Sequence, residues 1–412
     1  MRVLVIGSGG REHALAWKLA QECEVLATPG NPGMAQCAEC FTCDFADLAT
    51  ICKDRLIDLV VVGPENPLID GIADDLRSAG ILVFGPGRAG AQLEASKAFS
   101  KELMLRAGVP TADHETFNDP KLAEAYCHRI YSSGRSLAIK ASGAALGKGV
   151  VIGSTLEEAL DAIEMMMVSV ELGEAGKTVV CEERLTGREF SLLAVCSGTS
   201  FVTLPIAQDY KRALDADRGP NTGGMGTYSP VDWLSDALVR QSEQEIIGPA
   251  LRKLAHEGID YRGILFAGIM IQDGKPFCLE YNVRFGDPET QTVVRRIGSG
   301  FLDLLLNAAK GLALEPVEVL PDAALTVVMA SGGYPGSYEK GNLITMPATF
   351  DNHVQVFHAG TAMSDAGLVS SGGRVLGISA TGTTLENARK SAYDATESIN
   401  WKGSWYRSDI GL

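Results

Sequence analysis

Two side chains with metal-binding oxygens, Glu280 and Asn282, stand two residues apart in a β-favouring stretch that reads PFCLEYNVRFGDPET. Because side chains alternate between the faces of a strand, these two project from the same face. A carboxylate and an amide oxygen suit Mg²⁺, which takes few protein ligands and leaves its other positions for phosphates and water. Arg284 continues the alternation and could hold an anionic substrate. The pattern predicts metal-assisted phosphate chemistry, and a strand with solvated polar residues is the alternative.

A glycine-punctuated loop, ASGAALGKGV at residues 141–150, carries a second phosphate signal between two predicted strands. It is not a Walker loop, because Gly149 follows Lys148 where that pattern needs Ser or Thr and then a helix. Lys140 before the loop and Lys148 at its tip could reach polyphosphate oxygens while the glycines let the backbone close over them. A flexible surface hairpin with solvated lysines is the alternative.

Two further polar segments have the composition of a nucleotide or substrate site. The predicted strand Thr178–Glu183 ends in paired acids and precedes RLTGREF, whose Glu189 could bind ribose hydroxyls, although exposed paired acids are common. The stretch QDYKRALDADRGPNTGGMGTYSP, residues 208–230, is predicted as one long polar loop, and such loops in compact enzymes are usually functional. Its acids and bases together suit a substrate that is both an amine and an anion.

The first strand, Val3–Ile6, leads into GSGGREH, which we predict as an exit loop over residues 7–13, with a helix beginning over Ala14–Ala20. The dinucleotide fingerprint GxGxxG fails there because Glu12 stands in place of the third glycine. The pattern that remains is an anion cradle of backbone amides suited to a single phosphate. A purely structural tight turn is the alternative.

The elements that position these residues fall into three predicted units. The first alternates helices with strands, which predicts a parallel doubly wound sheet with ligands at the strand ends, and its strands are Val3–Ile6, Glu24–Ala27, Leu59–Val62 and Ile81–Phe84. A helical segment is predicted over 88–108, and the central unit opens after it, with predicted helical stretches at 118–134 and 236–256 and a hairpin turning at Asp273-Gly274.

A third unit follows a predicted linker at residues 314–321. Its strands are predicted at Ala324–Ala330, Val354–Phe357 and Val375–Ala380, and its last helix places Leu385, Ala388, Ala392, Ala395 and Ile399 on one face. Two turn-rich stretches of this unit, SGGYPGSYEKG at 331–341 and SGGR at 371–374, could reach the central cleft.

The bulk composition limits the classes of function. A net charge of −15 over 412 residues argues against a general nucleic-acid or anionic-membrane surface, so phosphates must bind in local pockets. The N-terminus reads as a first strand with no signal peptide, and no apolar run reaches membrane-span length. Nine scattered cysteines suit reduced thiols in a cytoplasm. The CxxCxxC run of Cys37, Cys40 and Cys43 favours buried structural cysteines over an iron-sulfur site.

Several motifs in order resemble the glycinamide ribonucleotide synthetase family of the ATP-grasp superfamily. They are GSGGREH, GPENPL, the loop ending GKGV, QDYKR, GPNTGGMG, LEYNVRFGDPETQ, SGGYPGSYEKG, VFHAGT and RSDIG, and they cover the chain from end to end. The resemblance implies an N-terminal α/β domain over 1–100, an ATP-grasp domain over 101–312 with a mobile lid near 117–187, and a mixed α/β C-terminal domain over 313–412.

The resemblance also implies a role for each matching residue. The Mg²⁺ or Mn²⁺ ligands would be Glu280 and Asn282, and the catalytic residues would be Arg284, Asp209 and Lys211. ATP would contact Lys97, Lys140, Gly147, Lys148, Gly149, Glu182, Glu183, Arg184, Leu185 and Glu189. Phosphoribosylamine would contact Gly9, Gly10, Arg11, Glu12, Gly30, Asn31, Pro64, Glu65, Asn221, Thr222, Gly223 and Gly224.

The implied reaction is ATP-dependent ligation of glycine to 5-phosphoribosylamine through a glycyl phosphate, by a cytoplasmic monomer or weak dimer with small-molecule partners only. Three residues depart from the family pattern, namely Ser142, Arg184 and Tyr210, and they bear on loop dynamics and nucleoside affinity. The alternatives are another ATP-grasp ligase with a different carboxylate substrate and a catalytically silent nucleotide-binding protein. An NAD oxidoreductase is disfavoured by Glu12.

Overall fold

The N-terminal part of the chain forms a five-stranded parallel sheet. The computed structural model describes residues 1–143, 149–169 and 171–412. The strands are β1 (Arg2–Gly7), β2 (Glu24–Pro29), β3 (Glu39–Cys40), β4 (Leu59–Val62) and β5 (Val83–Phe84), in the order β3-β2-β1-β4-β5. The connecting helices are α1 (Gly10–Leu19), α2 (Leu48–Asp54), α3 (Glu65–Asp70) and α4 (Ile72–Ser78). Leu4 enters one apolar core and Val5 another, so both faces are covered and the predicted doubly wound sheet is confirmed.

Helix α1 begins at Gly10, so the prediction of a loop as far as His13 is wrong. The carboxylate of Glu12 accepts a 2.6 Å hydrogen bond from the backbone N–H of Gly9 and pairs with Arg11 at 2.5 Å. This bond satisfies a free backbone donor at the helix start and favours helical geometry from the first turn. The side chain of Glu12 packs against Gly7 and Gly63, where an added Cβ atom would collide with it.

Two helices replace the single helical stretch predicted over residues 88–108. They are α5 (Arg88–Ala95) and α6 (Lys97–Ala107), and Ser96 between them has extended backbone geometry. The hydroxyl of Ser96 accepts a 3.2 Å hydrogen bond from the N–H of Phe99 and so caps the second helix. The break places Lys97 at the first position of α6.

A four-stranded antiparallel sheet, here called the lid sheet, follows α6. Its strands are β6 (His114–Phe117), β7 (Leu137–Ala141), β8 (Val150–Gly153) and β9 (Val179–Glu183), in the order β6-β9-β7-β8. Its helices are α7 (Pro120–Ser132) and α8 (Leu156–Ile163). Residues of these elements, including Cys127, Ile139 and Val179, form a core of their own. The two strands predicted to flank the glycine loop are confirmed, and residues 144–148 of that loop lie outside the described residues.

The polar stretch 208–230 contains four strands, so its prediction as one long loop is wrong. After the hairpin of β10 (Arg188–Ser197) and β11 (Ser200–Thr203) come β12 (Gln208–Asp209), β13 (Arg212–Leu214), β14 (Arg218–Asn221) and β15 (Gly226–Ser229). Strands β13 and β14 pair with each other. Strand β15 pairs with residues 324–327, far later in the chain, and such distant pairing leaves no local sequence signal.

The hairpin predicted at Asp273-Gly274 is confirmed. Helices α9 (Asp236–Ser242) and α10 (Gly248–His256) lead into β16 (Arg262–Gln272) and β17 (Lys275–Asn282), which complete a central sheet of order β11-β10-β16-β17. Both turn residues have positive φ, 51° and 75°, as a two-residue hairpin turn requires. Leu279 is an extra residue in β17, because Cys278 pairs with Ile269 and Glu280 with Gly268.

A further five-stranded sheet, here called the C-terminal sheet, crosses residue 313, because it takes two strands from the preceding part of the chain. Its order is β12-β15-β18-β22-β19. The remaining elements are α11 (Glu289–Val293), α12 (Phe301–Lys310), β18 (Ala323–Ala330), β19 (Val354–His358), β20 (Thr361–Ser364), β21 (Gly367–Ser370), β22 (Arg374–Gly382) and α13 (Leu385–Glu397). The predicted mixed α/β multidomain class is confirmed. Among the described residues, no helix has the length and apolar character needed to cross a membrane.

Candidate active site

Strand β17 ends in a cleft of about 720 Å³ that is bounded by the central sheet, the lid sheet and the β13–β14 hairpin. Most residues predicted for metal, catalysis and ATP line this cleft, namely Glu280, Asn282, Arg284, Asp209, Lys211, Lys97, Lys140, Gly149, Glu182, Glu183, Arg184, Leu185 and Glu189. Four residues predicted for phosphoribosylamine line it as well, namely Glu65, Asn221, Thr222 and Gly223. The fold therefore gathers positions that are far apart in the sequence.

The other predicted substrate residues do not line the cleft, namely Gly9, Gly10, Arg11, Glu12, Gly30, Asn31, Pro64 and Gly224. Gly147 and Lys148 lie outside the described residues. The amide of Asn31 is committed to the fold, because its nitrogen donates to the carbonyls of Ser8 and His358 at 2.8 Å and its oxygen accepts from two backbone N–H groups. Asn31 therefore has a structural role for which its TPGNPG motif gave no signal.

Arg11 connects the N-terminal sheet to the cleft. Its guanidinium donates to the carbonyl of Phe285 at 3.1 Å and lies 3.9 Å from the carboxylate of Glu65. The carboxylate of Glu65 lies 3.4 Å from Nε of Arg284. Another nitrogen of the Arg284 guanidinium, Nη2, lies 2.9 Å from the carboxylate of Glu94. Burial opposes ionisation of Glu65, but the two arginines outweigh it and lower the pKa of its carboxyl. The two acids fix the orientation of Arg284 at the cleft.

Glu280 and Asn282 keep oxygen atoms available to a metal ion. Among the described residues the carboxylate of Glu280 has no hydrogen-bond or ion-pair partner, and Oδ1 of Asn282 accepts a 3.2 Å hydrogen bond from Arg284. Burial opposes the charge of Glu280, but the nearby cations Lys211 and Lys140 outweigh it and lower the pKa of its carboxyl. An ionised, unpaired carboxylate beside an amide oxygen fits Mg²⁺ or Mn²⁺.

Within the described ranges, no cluster of three or more His, Cys, Asp or Glu side chains could hold a metal ion without other ligands. The cysteines of the CxxCxxC run, Cys37, Cys40 and Cys43, are free thiols and only half-buried, so their prediction as buried residues is wrong.

Asp209 and Lys211 carry opposite charges on the wall of the cleft. The Nζ atom of Lys211 lies 2.6 Å from the carboxylate of Glu189. Burial raises the pKa of Asp209 to about 7, against the opposing effect of Lys211. Burial would lower the pKa of Lys211, but Glu189 and Asp209 outweigh it and raise that pKa well above its ordinary value. Lys211 therefore stays charged while Asp209 titrates near neutral pH.

Lys101 is a cleft residue that the motifs did not reveal. Its Nζ atom and that of Lys140 both lie 2.9 Å from the same oxygen of Glu182, and Lys101 also donates to the hydroxyl of Thr111 at 2.6 Å. The other oxygen of Glu182 is buried and has no hydrogen-bond partner among the described residues. The available clue was spacing, because Lys101 lies four residues after Lys97 on one face of α6.

Arg374 ties the GPNTGGMG turn to the chain that leaves β17. Its guanidinium donates to the carbonyl of Gly223 at 2.5 Å and to that of Asp287 at 2.7 Å. The hydroxyl of Tyr334 accepts a 3.0 Å hydrogen bond from the N–H of Gly223. The SGGR and SGGYPGSYEKG stretches therefore contact Gly223, which lines the cleft, but among the described residues neither stretch lines the cleft itself.

The three departures from the family pattern have structural contacts. The carbonyl of Ser142 accepts from the N–H of Lys97 at 2.8 Å and its hydroxyl accepts from the next N–H at 3.1 Å, so it supports the start of α6. Arg184 is exposed at the rim and donates to the hydroxyl of Ser154 at 3.3 Å. The hydroxyl of Tyr210 accepts from the N–H of Gly411 at 2.9 Å.

The lid sheet facing a central antiparallel sheet, with lysines and an acid–amide pair between them, defines an ATP-grasp enzyme. The chain belongs to the phosphoribosylglycinamide synthetase family, because the models of its N domain, ATP-grasp (A) domain and C domain match residues 1–94, 95–290 and 324–412. The resemblance inferred from the motifs is thereby confirmed.

Similar proteins extend along the whole chain. The phosphoribosylamine–glycine ligase of Rhizobium meliloti is 47% identical over 418 residues, which cover 100% of this chain and 98% of that protein. The crystal structure of phosphoribosylamine–glycine ligase from Thermotoga maritima matches with a TM-score of 0.89 at 37% identity and covers 100% of both chains. The biotin carboxylase domain of Hydrogenobacter thermophilus 2-oxoglutarate carboxylase shares the fold, with a TM-score of 0.73 at 17% identity over 98% of this chain and 91% of that one.

Proposed function

We propose that this protein joins glycine to 5-phosphoribosylamine with conversion of ATP to ADP and phosphate, giving glycinamide ribonucleotide for purine synthesis. The observation that carries the proposal is the carboxylate of Glu280, which is unpaired among the described residues and stands beside Asn282 and Arg284 in a lysine-lined cleft. Membership of the family supports the choice of glycine and phosphoribosylamine as substrates.

Glu280 and Asn282 would hold Mg²⁺ or Mn²⁺ together with oxygens of the nucleotide. When bound, the ion supplies positive charge that lets a carboxylate approach the triphosphate. Lys97 and Lys140 line the same cleft and are assigned to the phosphates, with Lys148 and Gly147 proposed to complete that contact. The lid residues Glu182, Glu183, Arg184 and Leu185 and the neighbouring Glu189 are assigned to the nucleoside.

In the first step, a carboxylate oxygen of glycine attacks the γ-phosphorus of ATP, the bond to the β–γ bridging oxygen breaks, and ADP leaves. Arg284 and Lys211 are assigned to the glycine carboxylate and Asp209 to the amino group. Because Glu94 and Glu65 already hold Arg284, its orientation is fixed before glycine arrives.

In the second step, the 1-amine of phosphoribosylamine attacks the carbonyl carbon of glycyl phosphate and the carbon–oxygen bond to phosphate breaks. The nitrogen must lose a proton, and Asp209 can accept it near neutral pH because its pKa is raised to about 7. Water would hydrolyse the acyl phosphate, which is a physical reason for a lid that closes over the cleft. No covalent bond to the enzyme is required.

The turns near the N-terminal sheet are assigned to phosphoribosylamine. Arg11, Glu65 and Pro64 with the backbone of Gly9, Gly10 and Gly30 would contribute from that sheet, and residues 221–224 from the facing turn. The carboxylate of Glu12 and the amide of Asn31 are used by the fold, so we assign their contribution to the shape of the site.

The test is a coupled assay of ADP release with glycine and freshly generated phosphoribosylamine, each omitted in turn. We expect ADP only when both are present with ATP and a divalent ion. ADP release that does not depend on glycine would point to an ATP-grasp ligase for another carboxylate. Nucleotide binding without ADP release would point to a silent nucleotide-binding protein.

We also propose the domain limits 1–100, 101–312 and 313–412, with the pairing of β15 and β18 joining the last two domains across residue 313. The separate core of the lid sheet and its helices supports a lid over about 117–187. The partners are small molecules, and a monomer or weak dimer in the cytoplasm stays a prediction.

A further inference from the structure

The β13–β14 hairpin, residues 212–221, forms one wall of the cleft. Arg212, Asp217 and Asn221 of this hairpin line the cleft. Its turn places Ala216 and Asp217 at φ values of 56° and 50°, in the left-handed region that side chains with a Cβ atom rarely adopt. Such a conformation persists when surrounding contacts hold it in place. The turn therefore needs support from outside the hairpin.

Arg407, in the C-terminal motif RSDIG, provides part of that support. Its side chain is 1% exposed. One guanidinium nitrogen donates to the carboxylate of Asp217 at 2.9 Å and to the carbonyl of Arg212 at 3.0 Å. Two other nitrogens form a bidentate pair with Asp409 at 2.7 Å. The guanidinium also lies 4.9 Å from the ring centre of Tyr210, at the entrance of the hairpin.

Neighbours of Arg407 hold the turn itself. The carboxylate of Asp409 accepts a 2.8 Å hydrogen bond from the N–H of Ala216. The N–H of Ser408 donates to the carboxylate of Asp215 at 2.9 Å. Each residue from 215 to 217 is thus hydrogen-bonded to the segment 407–409, and these three contacts hold the strained turn in place.

The C-terminal segment is itself anchored to α13. Arg389 donates to the carbonyls of Ser408 and Ile410 at 2.7 Å and 3.0 Å. The hydroxyl of Tyr393 donates to the carbonyl of Arg407 at 2.7 Å, and the side chain of Ile410 is fully buried. The C-terminal segment therefore links the hairpin to α13, which packs on the C-terminal sheet.

We propose that the C-terminal segment, residues 407–412, positions the cleft wall and that Arg407 is its central positioning residue. The hairpin carries this effect to Lys211, because the N–H of Thr222 donates to the carbonyl of Lys211 at 2.7 Å and closes the open end of the hairpin. Lys211 and Glu280 both line the cleft. The kinetic consequence, weaker use of glycine, rests on the proposed function, whereas the ordering of the hairpin does not.

The experiment compares Arg407→Met with Arg407→Lys and with a control, Lys402→Met, in the full-length protein. Lys402 forms an exposed pair with Glu339 at 3.3 Å and does not line the cleft. Three quantities are measured: hydrogen exchange of the amides of residues 212–221, the dissociation constant of ATP, and kcat/KM for glycine.

For Arg407→Met we expect at least tenfold faster exchange in the hairpin, at least tenfold lower kcat/KM for glycine and an ATP dissociation constant within twofold of the parent. The values for Arg407→Lys should fall between those of the parent and of Arg407→Met, because an ammonium group cannot make the bidentate contact with Asp409 and the contact with Asp217 together. Lys402→Met should match the parent. If Arg407→Met does not fold, Asp217→Asn is measured instead and should show the same pattern at a smaller size.

Unchanged hairpin exchange and unchanged glycine kinetics would overturn the proposal. Equal losses of ATP binding and glycine use would also overturn it, because they would indicate general destabilisation. If the parent protein consumes no glycine, the proposed function fails. In that case faster exchange of Arg407→Met confined to residues 212–221 still supports the positioning role. Unchanged exchange in that variant rejects the positioning role.

Discussion

The Nζ atom of Lys101 lies 2.9 Å from the carboxylate of Glu182, and both side chains are almost fully buried. Glu182 has Lys140 as its second cation at 2.9 Å. Burial opposes ionisation of Glu182, but Lys140 and Lys101 outweigh it and keep the pKa of its carboxyl low. Removing one cation from such a group leaves a buried charge only partly compensated.

Lys101→Met should therefore lower the free energy of unfolding by about 3 kcal/mol and weaken ATP binding, because Lys140 shares the same carboxylate. The matched control is Lys177→Met, which breaks an exposed pair with Glu174 and should cost less than about 1 kcal/mol. Urea unfolding and ATP titration measure both effects. Equal small losses in the two variants would show that the buried contact contributes nothing.

Gly224→Ala should destabilise the protein more than Gly108→Ala. Both glycines have positive φ, 109° and 69°, so both substitutions introduce backbone strain, which is about 1 to 2 kcal/mol in the left-handed region of Gly108 and larger at the 109° of Gly224. An added Cβ atom would also collide with Pro288 at Gly224, whereas it would meet open space at Gly108. The difference between the two variants in urea unfolding measures the collision together with the larger backbone strain at Gly224, and no difference would mean that the GPNTGGMG turn is free to shift.

Two buried histidines should make the protein sensitive to acid. Burial lowers the pKa of His13 to about 3, with help from His358, and burial lowers the pKa of His358 to about 4. Because the unfolded chain binds protons near pH 6.5, the stabilisation is fully present above that pH and is lost as pH falls toward 4 and 3. The loss is on the order of 5 kcal/mol for His13 once the pH has fallen to about 3.

The histidine contribution is measured as the difference between the parent and His13→Gln in unfolding free energy from pH 8 to pH 4. Carboxylates with lowered pKa, such as that of Asp287, contribute equally to both proteins and cancel in the difference. The parent should lose more stability than the variant over this range. Parallel curves would mean that His13 is not held neutral by its contact with the N–H of His358 at 2.8 Å.

Local patterns predicted the parts of the site that depend on local geometry. Apolar runs such as Val3–Ile6 marked the parallel strands, and the two-residue spacing of Glu280 and Asn282 marked the acid–amide pair. Lys101 was missed because nothing in its own helical sequence distinguishes it from a solvated lysine. Its role depends on contact with Glu182, which lies on strand β9. Two features hid the strands within 208–230. Strand β15 pairs with the distant β18, and β13 and β14 pair with each other in an irregular register.

The side-chain caps of two helices were also not predicted from the sequence. The break at Ser96 and the early start of α1 both depend on one side chain bonding a backbone N–H group. A serine in a helical stretch and a glutamate after glycines have several compatible conformations, and tertiary contacts decide between them. The same limit applied to Arg407, whose partners come from the distant hairpin.

The most direct test of the proposed site is Glu280→Gln, which removes the charge and keeps the shape. ADP release with ATP, glycine and phosphoribosylamine is measured across a range of Mg²⁺ and Mn²⁺ concentrations, alongside urea unfolding. Since Glu280 has no protein partner among the described residues, we expect turnover to fall by at least about 100-fold with a change in unfolding free energy below about 1 kcal/mol. Metal-dependent ADP release at the parent rate would contradict the account.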